Sequence, residues 1–474
     1  MRFNRVTAEV IERLKEIAGE DYVLTSPEEL EKYSIDEIEE RYCSLPEAVV
    51  KPRTPEEIAS IMKLANEYKI PVTPRGAGTG LSGGAVPVYG GIVISLERMN
   101  EILEIDLDNM MVTVEPGVVL ADMMRAVEAH GLFYPVDVST LESCHVGGNV
   151  AENAGGARAV KYGITGHWVY GLEMVTPTGE IVRLGGKRIK DVTGYNLVQL
   201  VVGSEGTLGI ITKITFRLTV KPKYALDLLI PFESLEDAVA QVLGLLREET
   251  SLSAIEFMDS LSIKAVEKYL NLVLPYDDCE AHLLIQVDGM EEEGVWQAAE
   301  RVYEKLTAAR AKEVFVADNR LTREKLWRAR RNIAEALKAL HNYVSVEDIV
   351  VPRSEIPEIV RRLRELSRTH DIEVPLYGHI GDGNLHPTPV SGGRDEETWF
   401  RDLDAFLSDM FKAVKELGGN ITAEHGIGMK RRKYLSLCAG KAEIALMKAI
   451  KRAWDPNGIL NPGKVFPVEE MCSS

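Results

Sequence analysis

The sequence predicts an α+β protein of more than one domain, and two changes along the chain carry this prediction. Between residues 46 and 222, runs rich in Val and Ile alternate with helical patterns and glycine-rich turns. Between residues 223 and 417, glycine-rich loops become rare, and longer helical patterns are separated by apolar strands. The chain has 474 residues, well above the roughly 100–200 residues expected of one domain. We therefore expect two or three domains with substantial cores.

The first of these domains begins with a βαβ pattern. Residues 48–50 predict a strand, Thr54 is the candidate cap of the following helix, and residues 70–73 predict the next strand. Residues 102–114 predict a hairpin, and residues 210–220 alternate as a half-buried strand does. The second domain combines the strand 283–287 with longer helices, which are predicted over residues 234–248, 293–310, 323–340 and 355–369.

The two ends of the chain differ in composition from the two domains between them. Residues 1–45 read as helices, with Thr7 and Ser26 as candidate N-caps, and predict an N-terminal helical brace. Residues 418–474 return to glycine-rich loops around one helix and include the turn-rich run 455–464. A tail so rich in turn residues is expected to pack back on the glycine-rich domain.

Composition excludes several classes of function. The net charge of −18 opposes binding to the phosphate backbone, so no nucleic-acid partner is expected. The five cysteines are scattered and contain no CxxC, which excludes a disulfide framework and a thiolate metal or iron–sulfur site, and a reducing cytoplasm fits them best. Because no run approaches 18 apolar residues and no apolar leader is present, we expect no direct membrane insertion.

A bare glycine loop follows the second predicted strand. Residues 74–84 read PRGAGTGLSGG, and Gly78, Gly80 and Gly83 satisfy the GxGxxG pattern of dinucleotide-binding loops. A Rossmann loop must open a helix, but the glycines and Pro87 that follow exclude one. The pattern predicts instead a long loop whose backbone N–H groups bind an anion directly.

Further glycine-rich segments lie at residues 146–156, 190–197 and 203–211, and small residues repeated in this way allow a large flat ligand to approach the backbone. With these motifs in this order, the chain resembles the FAD-linked oxidoreductases of the vanillyl-alcohol-oxidase type. Within them it is similar to the group that contains D-lactate dehydrogenases, glycolate oxidase and D-2-hydroxyglutarate dehydrogenase. The resemblance implies a two-subdomain FAD-binding domain over residues 46–222 and an α+β, ferredoxin-like substrate or cap domain over 223–417.

The resemblance also assigns the cofactor. No histidine occurs in residues 74–91, so FAD is expected to be held non-covalently. Cys144-His145 departs from the small residues that relatives carry there; a flavin–cysteine bond is one reading and a plain contact residue the favoured one. The residues that the resemblance assigns to the cofactor are Arg75, Gly76, Gly78, Thr79, Gly80, Ser82, Gly83, Gly148, Asn149, Gly155, Gly156, Glu205, Gly209, Ile211 and Asn461.

Three of the nine histidines lie in two motifs. His379 and His386 flank a Gly-Asp-Gly turn, and two imidazoles with a carboxylate suit a divalent metal, although spacing alone fits ordinary loop residues as well. By resemblance, His379, His386 and Glu424 hold a divalent metal such as zinc, iron or manganese. His425 is then the active-site base, and Arg330, in a Trp-x-x-Arg motif, binds the substrate carboxylate. The neighbouring Arg328 and Arg331 are expected to face solvent.

The implied function is oxidation of a D-2-hydroxy acid by a metal-assisted FAD dehydrogenase. The hydroxyl proton passes to a histidine and the Cα hydride to flavin N5. Ala334 and Val346 stand where relatives acting on dicarboxylates carry polar groups, which favours D-lactate or glycolate. Electrons are expected to pass to a redox protein, such as an electron-transferring flavoprotein or an iron–sulfur subunit. The alternatives are an oxygen-reducing oxidase, a D-2-hydroxyglutarate dehydrogenase, a flavin-binding structural subunit and a zinc hydrolase.

Overall fold

The computed structural model describes residues 3–275, 278–309 and 311–471 as a mixture of helices and strands. Its helices, α1 to α17 in chain order, are Ala8–Ala18, Pro27–Glu31, Pro55–Tyr68, Leu120–Glu128, Val146–Glu152, Ala159–Tyr162, Leu197–Val201, Leu235–Glu248, Ser260–Leu270, Glu292–Ala308, Arg320–Arg331, Ile333–Leu340, Ile356–Thr369, Glu396–Glu416, Leu435–Cys438, Lys441–Trp454 and Val468–Met471. Its strands, β1 to β18, are Val23–Leu24, Ala48–Val50, Val72–Arg75, Ile92–Ser95, Ile102–Asp106, Met111–Val114, Leu132–Phe133, Val169–Val175, Ile181–Gly185, Ile210–Arg217, Thr219–Val220, Tyr224–Phe232, Leu252–Asp259, Ala281–Gly289, Phe315–Ala317, Ile349–Val350, Leu376–Gly378 and Asn384–Pro387.

The chain divides into two compact units. Unit 1 consists of the described parts of Met1–Ala154, Ile164–Lys221 and Glu424–Ser474. Unit 2 consists of the described parts of Gly155–Gly163 and Pro222–Ala423, so the segment Gly155–Gly163 groups with unit 2 although it lies within the predicted residues 46–222.

Unit 1 opens with the predicted βαβ pattern. Strands β2 and β3 both pair in parallel with β4, and β1 adds an antiparallel edge in the order β1-β2-β4-β3. Helix α3 joins β2 to β3, and its cap Thr54 accepts a hydrogen bond from the N–H of Glu57 at 3.2 Å. Val10 and Leu14 of the N-terminal helix and Leu460 near the C-terminus share the core of this sheet. The N-terminal brace is thus part of the core of unit 1.

A second sheet of unit 1 has the order β5-β6-β10-β8-β9, and each pair of neighbouring strands in it is antiparallel. The hairpin predicted over residues 102–114 is confirmed as β5 and β6, joined by a turn in which Asn109 donates from its backbone to Asp106. The predicted strand 210–220 is confirmed as β10 and the short β11.

Unit 2 is built on a seven-stranded antiparallel sheet in the order β15-β12-β14-β13-β17-β18-β16. The first four strands and helices α8 and α10 follow the βαββαβ sequence and the order of a ferredoxin-like fold, which confirms that prediction. Helices α9, α11 and α12 share a core with Leu229, Met258 and Leu284 of the sheet, while α8 and α10 contact β12 and β14. Because nearly every residue of β13 and β14 is buried, the sheet is covered on both faces.

Two helix predictions in unit 2 need correction. The single helix predicted over residues 323–340 is two helices, α11 and α12, because Asn332 leaves the helical conformation and its side-chain amide donates to the carbonyl of Arg328 at 2.8 Å. The predicted helix 293–310 ends at Ala308 in the structure, and residue 310 lies outside the described residues. The 21-residue helix α14, capped by Asp395, was not predicted.

None of the described helices is both long enough and apolar enough to cross a membrane. Cys43, Cys144 and Cys279 are free thiols, and Cys472 lies outside the described residues.

Candidate functional site

The glycine loop of unit 1, residues 76–84, follows β3 and turns around the side chain of Arg75. The guanidinium of Arg75 donates to the carbonyl oxygens of Ile35 at 2.8 Å and Lys32 at 3.3 Å. Gly78 has φ +78°, and a Cβ there would lie 2.1 Å from Nη2 of Arg75. The loop therefore requires glycine at this position, and Arg75 holds its shape through backbone contacts.

A turn near the C-terminus packs directly on this loop. The carbonyl of Ser82 accepts a hydrogen bond from the N–H of Met429 at 2.9 Å. Gly83 and Gly428 both have positive φ, and a Cβ on Gly83 would lie 2.4 Å from Met429 while one on Gly428 would lie 2.1 Å from the Ser82 carbonyl. Both segments need the absence of a side chain to approach this closely.

The loop presents unused polar groups, which is the feature that a phosphate-bearing cofactor requires. Among the residues that the structure describes, none accepts a hydrogen bond from the backbone N–H groups of residues 77–84. The hydroxyl of Ser82 and Nδ1 of His145 are also buried without a hydrogen-bond partner in the described chain. A Cβ added at Gly148 would meet open space within 4 Å. A row of unsatisfied N–H groups is a nest for anions, so these residues fit the pyrophosphate of FAD.

Two of the predicted cofactor residues, Glu205 and Asn461, form hydrogen bonds that hold the glycine loop and the C-terminal turn in place. The carboxylate of Glu205 accepts the N–H groups of Ile427 at 2.8 Å and Gly428 at 2.6 Å. The amide of Asn461 donates to the carbonyls of Gly84 at 3.0 Å and Glu205 at 2.9 Å. We call residues 76–84, Glu205, 426–429 and Asn461 together the glycine cradle.

Buried ionisable groups surround the glycine cradle. Burial raises the pKa of Glu205, and burial together with the charge of Glu205 raises the pKa of Glu152 well above its ordinary value. Burial also raises the pKa of Asp36 to about 6 and lowers the pKa of Lys464 to about 7, although nearby opposite charges oppose both shifts. Sequence reasoning missed Glu152 and Lys464; the lysine of the Asn-Pro-Gly-Lys run was the available signal.

The other predicted cofactor residues occupy varied positions. Gly209 packs so closely that a Cβ would lie 2.0 Å from Met174, and Ile211 is buried on β10. The carbonyl of Gly80 accepts from the N–H of Glu37 at 2.9 Å, whereas Gly76 and Thr79 are partly buried in the loop. Gly155 and Gly156 belong to unit 2, whereas every other residue predicted to bind the cofactor belongs to unit 1.

Cys144 is buried beside this region, and its sulfur accepts a weak hydrogen bond from the amide of Asn149 at 3.5 Å. Burial raises the pKa of the Cys144 thiol, so the nucleophilic thiolate is disfavoured. This favours the interpretation of Cys144 as a contact residue. Burial also lowers the pKa of the neighbouring His145, which favours its neutral form.

Unit 2 contains the second group of predicted residues. His379 directly follows β17 and His386 lies on β18, and these two strands pair antiparallel. Their imidazole centroids lie 5.3 Å apart at 88°, so the prediction that they converge from opposite ends of a hairpin is confirmed. The turn needs Gly383, with φ +93°, because a Cβ there would lie 2.3 Å from the carbonyl of Val351.

Glu256 connects His379 to Arg330. It lies on β13 with no exposed surface, its Oε1 is 2.7 Å from Nδ1 of His379, and its Oε2 is 2.7 Å from Nη2 of Arg330. Burial alone would raise the pKa of this carboxyl, but the charges of Arg330 and His379 hold it below its ordinary value. An ionised Glu256 accepts the Nδ1 proton of His379 and so favours the tautomer whose Nε2 carries the lone pair.

Asp348 supports the other histidine. Its carboxylate accepts from the amide of Asn384, the hydroxyl of Thr422 and the N–H of Ala423, each at 2.7 Å. One of its oxygens also lies 3.8 Å from Nδ1 of His386. With three short bonds already made, the carboxylate holds the loops of this region in place and carries a negative charge beside the imidazole.

Arg330 is 6% exposed, and its guanidinium lies over the ring of Tyr377 at 5.2 Å. Its Nε is buried and has no hydrogen-bond partner among the described residues. A substrate carboxylate would satisfy this donor, so the side chain fits its predicted role. Of its neighbours, Arg328 is exposed as expected, but Arg331 is only partly exposed and its guanidinium lies 5.7 Å from the ring of Trp327.

Glu424 and His425 belong to unit 1, whereas His379 and His386 belong to unit 2. Within unit 1, Nε2 of His425 lies 3.7 Å from Oε1 of Glu424. The assignment of these four residues to one metal centre with its base stays a prediction.

Sequence reasoning missed Glu256 and Asp348. The signal for Glu256 is a single acidic residue in the otherwise apolar strand AIEFM, because a carboxylate in such a strand needs a partner. The signal for Asp348 is an acidic pair, Glu347 and Asp348, directly before the apolar run Ile349–Val351.

Comparisons with known proteins identify the family of this chain. Residues 46–185 match the family described as FAD binding domain, and residues 221–465 match the family described as FAD linked oxidases, C-terminal domain. Among characterised relatives, the glycolate oxidase protein GlcD of Bacillus subtilis is 41% identical over 97% of both chains, and D-lactate dehydrogenase of Anaerostipes hadrus is 40% identical over 98% of both. D-2-hydroxyglutarate dehydrogenase of Stutzerimonas stutzeri is 33% identical over 96% of this chain and 98% of its own. The solved structure of p-cresol methylhydroxylase shares the fold, with a TM-score of 0.81, 19% identity and 98% of both chains covered.

Proposed function

The chain belongs to the FAD-linked oxidases, and from this premise we propose that it is a D-2-hydroxy-acid dehydrogenase that uses non-covalent FAD and a divalent metal. The coarser statement follows from the relatives: it is an FAD-linked oxidoreductase of the glycolate, D-lactate and D-2-hydroxyglutarate dehydrogenase type. Its fold is that of the vanillyl-alcohol-oxidase flavoproteins, with a ferredoxin-like second domain.

The observation that carries the proposal is the buried chain of contacts from Arg330 through Glu256 to His379. Glu256 fixes both partners at 2.7 Å in a place without solvent exposure. Arg330 then offers a buried Nε for the substrate carboxylate, and His379 is held in one tautomer as a potential ligand. A structural flavin-binding subunit would not need this arrangement.

The glycine cradle is proposed to hold FAD. The N–H groups of residues 77–84 would bind the pyrophosphate, and Gly148 leaves room for the cofactor beside the backbone. Bound FAD supplies a two-electron acceptor for the Cα hydride of the substrate. The residues Gly155, Gly156, Gly209 and Ile211 remain proposed cofactor contacts.

His379, His386 and Glu424 are proposed to hold the metal, and His425 to accept the hydroxyl proton. Two imidazoles and one carboxylate form a donor set that suits zinc, iron or manganese. Such a metal supplies Lewis-acid stabilisation of the substrate alkoxide. The ion-paired carboxylate of Glu256 keeps His379 oriented, and Asp348 adds negative charge near His386.

We propose D-lactate or glycolate as the substrate. Val346 is buried and Ala334 packs against the core of unit 2, so neither position offers a group for a second carboxylate. The relative that acts on D-2-hydroxyglutarate keeps that dicarboxylate as the second candidate. An oxidase that reduces oxygen directly is the other alternative, and release of peroxide would distinguish it.

The physiological acceptor is proposed to be a redox protein in the cytoplasm, either an electron-transferring flavoprotein or an iron–sulfur subunit. The sequence has no CxxC and no haem attachment motif, so the chain itself encodes no second relay of these kinds. Electrons therefore have to leave by way of a partner or a small acceptor.

An anaerobic titration tests the proposal. The purified holoprotein is titrated with D-lactate, glycolate and D-2-hydroxyglutarate while the flavin absorption is recorded, before and after removal of metal with a chelator. We expect D-lactate or glycolate to bleach the flavin, and the bleaching to be lost with the metal and restored by adding it back. A flavin that stays oxidised with all three acids, or bleaching that a chelator does not change, would contradict the assigned mechanism.

Arg330→Lys provides the matched test of the carboxylate site, with Arg328→Lys as its control on the same helix. The exposed Arg328 should tolerate the change, whereas Lys cannot reproduce the planar fork of Arg330. We expect Arg330→Lys to raise KM for the hydroxy acid by about 10–100-fold, since a charge-assisted pair contributes about 1.5–3 kcal/mol. Equal KM values in the two variants would remove Arg330 from the site.

A further inference from the structure

A cleft in unit 2 is lined by arginines that the proposed reaction does not use. Its volume is about 290 Å³. Arg320, Arg323 and Arg331 reach it from helix α11, and Arg158 reaches it from the residue before α6. Glu324 and Asp227 are the acidic residues in its lining, so four guanidiniums meet two carboxylates in a chain whose net charge is −18.

The floor of this arginine cleft is built from buried polar side chains. Asp227 lies on β12 with 1% of its surface exposed, and its Oδ1 accepts from the amide of Gln286 at 2.8 Å and the indole N–H of Trp327 at 3.0 Å. The amide oxygen of Gln286 in turn accepts from Nε of Arg158 at 3.2 Å. These contacts fix Arg158 and the indole face before any ligand arrives, and preorganised groups bind with a smaller entropic cost.

Arg323 carries the strongest indication of a ligand in this cleft. One of its terminal nitrogens donates to the carbonyl of Ala225 at 3.0 Å, which fixes the side chain. Its Nε is buried, and no acceptor for it exists among the residues that the structure describes. A buried donor without an acceptor is unfavourable, so an oxyanion that accepts from it would relieve the cost.

We infer that the arginine cleft binds a small oxyanion with two or more negative charges, as carried by a phosphorylated or polycarboxylated metabolite. Guanidinium groups bind phosphate and carboxylate oxygens in a forked geometry. Arg320 is exposed and pairs with Glu324 at 2.5 Å, but the other three guanidiniums around the cleft still favour a multiply charged ligand. Arg331, whose guanidinium lies 5.7 Å from the centre of the Trp327 ring, also lines the cleft. The inference rests on the cleft alone and does not depend on the proposed oxidation reaction.

Calorimetric titration of the flavin-loaded full chain tests the inference, with sodium pyrophosphate as one probe and citrate as the other, at low ionic strength. We expect saturable binding of at least one probe with 1:1 stoichiometry. A phosphate-bearing ligand is indicated if pyrophosphate binds more tightly, and a polycarboxylate if citrate does. Absence of saturable binding of both probes up to about 10 mM, a concentration that would detect even a millimolar Kd, would overturn the inference.

Variants locate the bound probe. Arg323→Gln and Arg331→Gln should each weaken binding by about tenfold, corresponding to loss of one charge-assisted hydrogen bond. Arg328→Gln, on the same helix but not in the lining of the cleft, should leave binding within about twofold, a difference far below one such bond. Flavin content and circular dichroism establish that each variant is folded. If Arg323→Gln does not fold, Arg331→Gln alone locates the bound probe.

Arg330→Gln distinguishes the cleft from the proposed substrate site. A probe bound at the substrate site should lose affinity in Arg330→Gln and keep it in Arg323→Gln and Arg331→Gln. That pattern, or equal weakening in Arg328→Gln, would refute the inference. Loss in the two cleft variants with retention in Arg330→Gln supports it.

Discussion

Substitution of Glu256 by Gln tests the central contact of unit 2. Gln keeps the volume and the planar head of Glu256 but removes the negative charge that faces Arg330 at 2.7 Å. It also replaces one carboxylate oxygen by an NH₂ group, which cannot accept a hydrogen bond from either of the present partners. Arg330 would then remain in a 6% exposed position without its countercharge.

The expected destabilisation follows from these distances. Two unit charges at 2.7 Å attract by roughly 6 kcal/mol at an effective dielectric constant of about 20, and part of this offsets the desolvation of Glu256 itself. Because the variant leaves the arginine buried and unpaired, we expect the free energy of unfolding to fall by about 3–5 kcal/mol. Because only a neutral amide oxygen would remain to accept from His379, activity should fall by a further 10–100-fold in the variant that remains folded.

Denaturant unfolding of the holoprotein, followed by flavin fluorescence and circular dichroism, measures the first effect. Glu358→Gln is the matched control, because Glu358 also pairs with arginines, Arg361 and Arg362, but in solvent; its change should be too small to resolve. The double variant Glu256→Gln with Arg330→Met should be more stable than Glu256→Gln alone, since no unpaired charge is left. A change for Glu256→Gln as small as that of the control would refute the reasoning.

Three further predictions concern the backbone and the buried charges. Gly78→Ala should destabilise unit 1 and lower its flavin content more than Gly131→Ala does, as measured by denaturant unfolding and flavin absorption. Both glycines have positive φ, so an alanine costs about 1–2 kcal/mol at either position. Only at Gly78 would the new Cβ also meet the Arg75 guanidinium. Asp348→Asn should lower the free energy of unfolding by about 2–4 kcal/mol in denaturant titrations, because three short hydrogen bonds to a buried carboxylate lose their charge. The pKa of Lys464 is about 7 in the folded protein, below its ordinary value, so the unfolded chain binds the proton more readily between about pH 7 and 10. The free energy of unfolding, measured by thermal unfolding, should therefore rise across this window by up to about 1.4 kcal/mol per pH unit. Lys464→Met should remove that rise.

The elements that sequence predicts best are those with local causes. The βαβ start follows from apolar strands around a helix whose cap and first turn are adjacent in sequence, and the hairpin at residues 102–114 from a polar turn between two short strands. The prediction of one helix over residues 323–340 was wrong because a single side chain interrupts it. Asn332 has an ordinary helical propensity, but its amide competes for the Arg328 carbonyl.

The contacts of the site are harder to predict because they join distant parts of the chain. Glu256 meets His379 across 123 residues, and Glu205 meets Ile427 across 222. Sequence shows that an acidic residue in an apolar strand needs a partner, but the partner is set by the order of strands β13 and β17 in the sheet. A single glutamate on an apolar strand therefore predicts a buried contact but not the residue that makes it.

The glycine cradle shows why one motif in this chain has little meaning without the others. The loop at residues 76–84 keeps its N–H groups unsatisfied only because other segments supply its shape: Arg75 from the preceding strand, Glu205 from a turn, and Asn461 from the C-terminal segment. Gly83 and Gly428 must both lack a side chain for the two turns to meet, so neither segment can change alone. Consider a chain with the first glycine loop but without the Gly-x-Gly and Asn-Pro-Gly-Lys runs near its end. Its loop would either form other hydrogen bonds or stay unfolded. In both cases the anion-binding nest would be lost. The C-terminal motifs are in this sense part of the proposed cofactor site, although they begin more than 300 residues after its first loop.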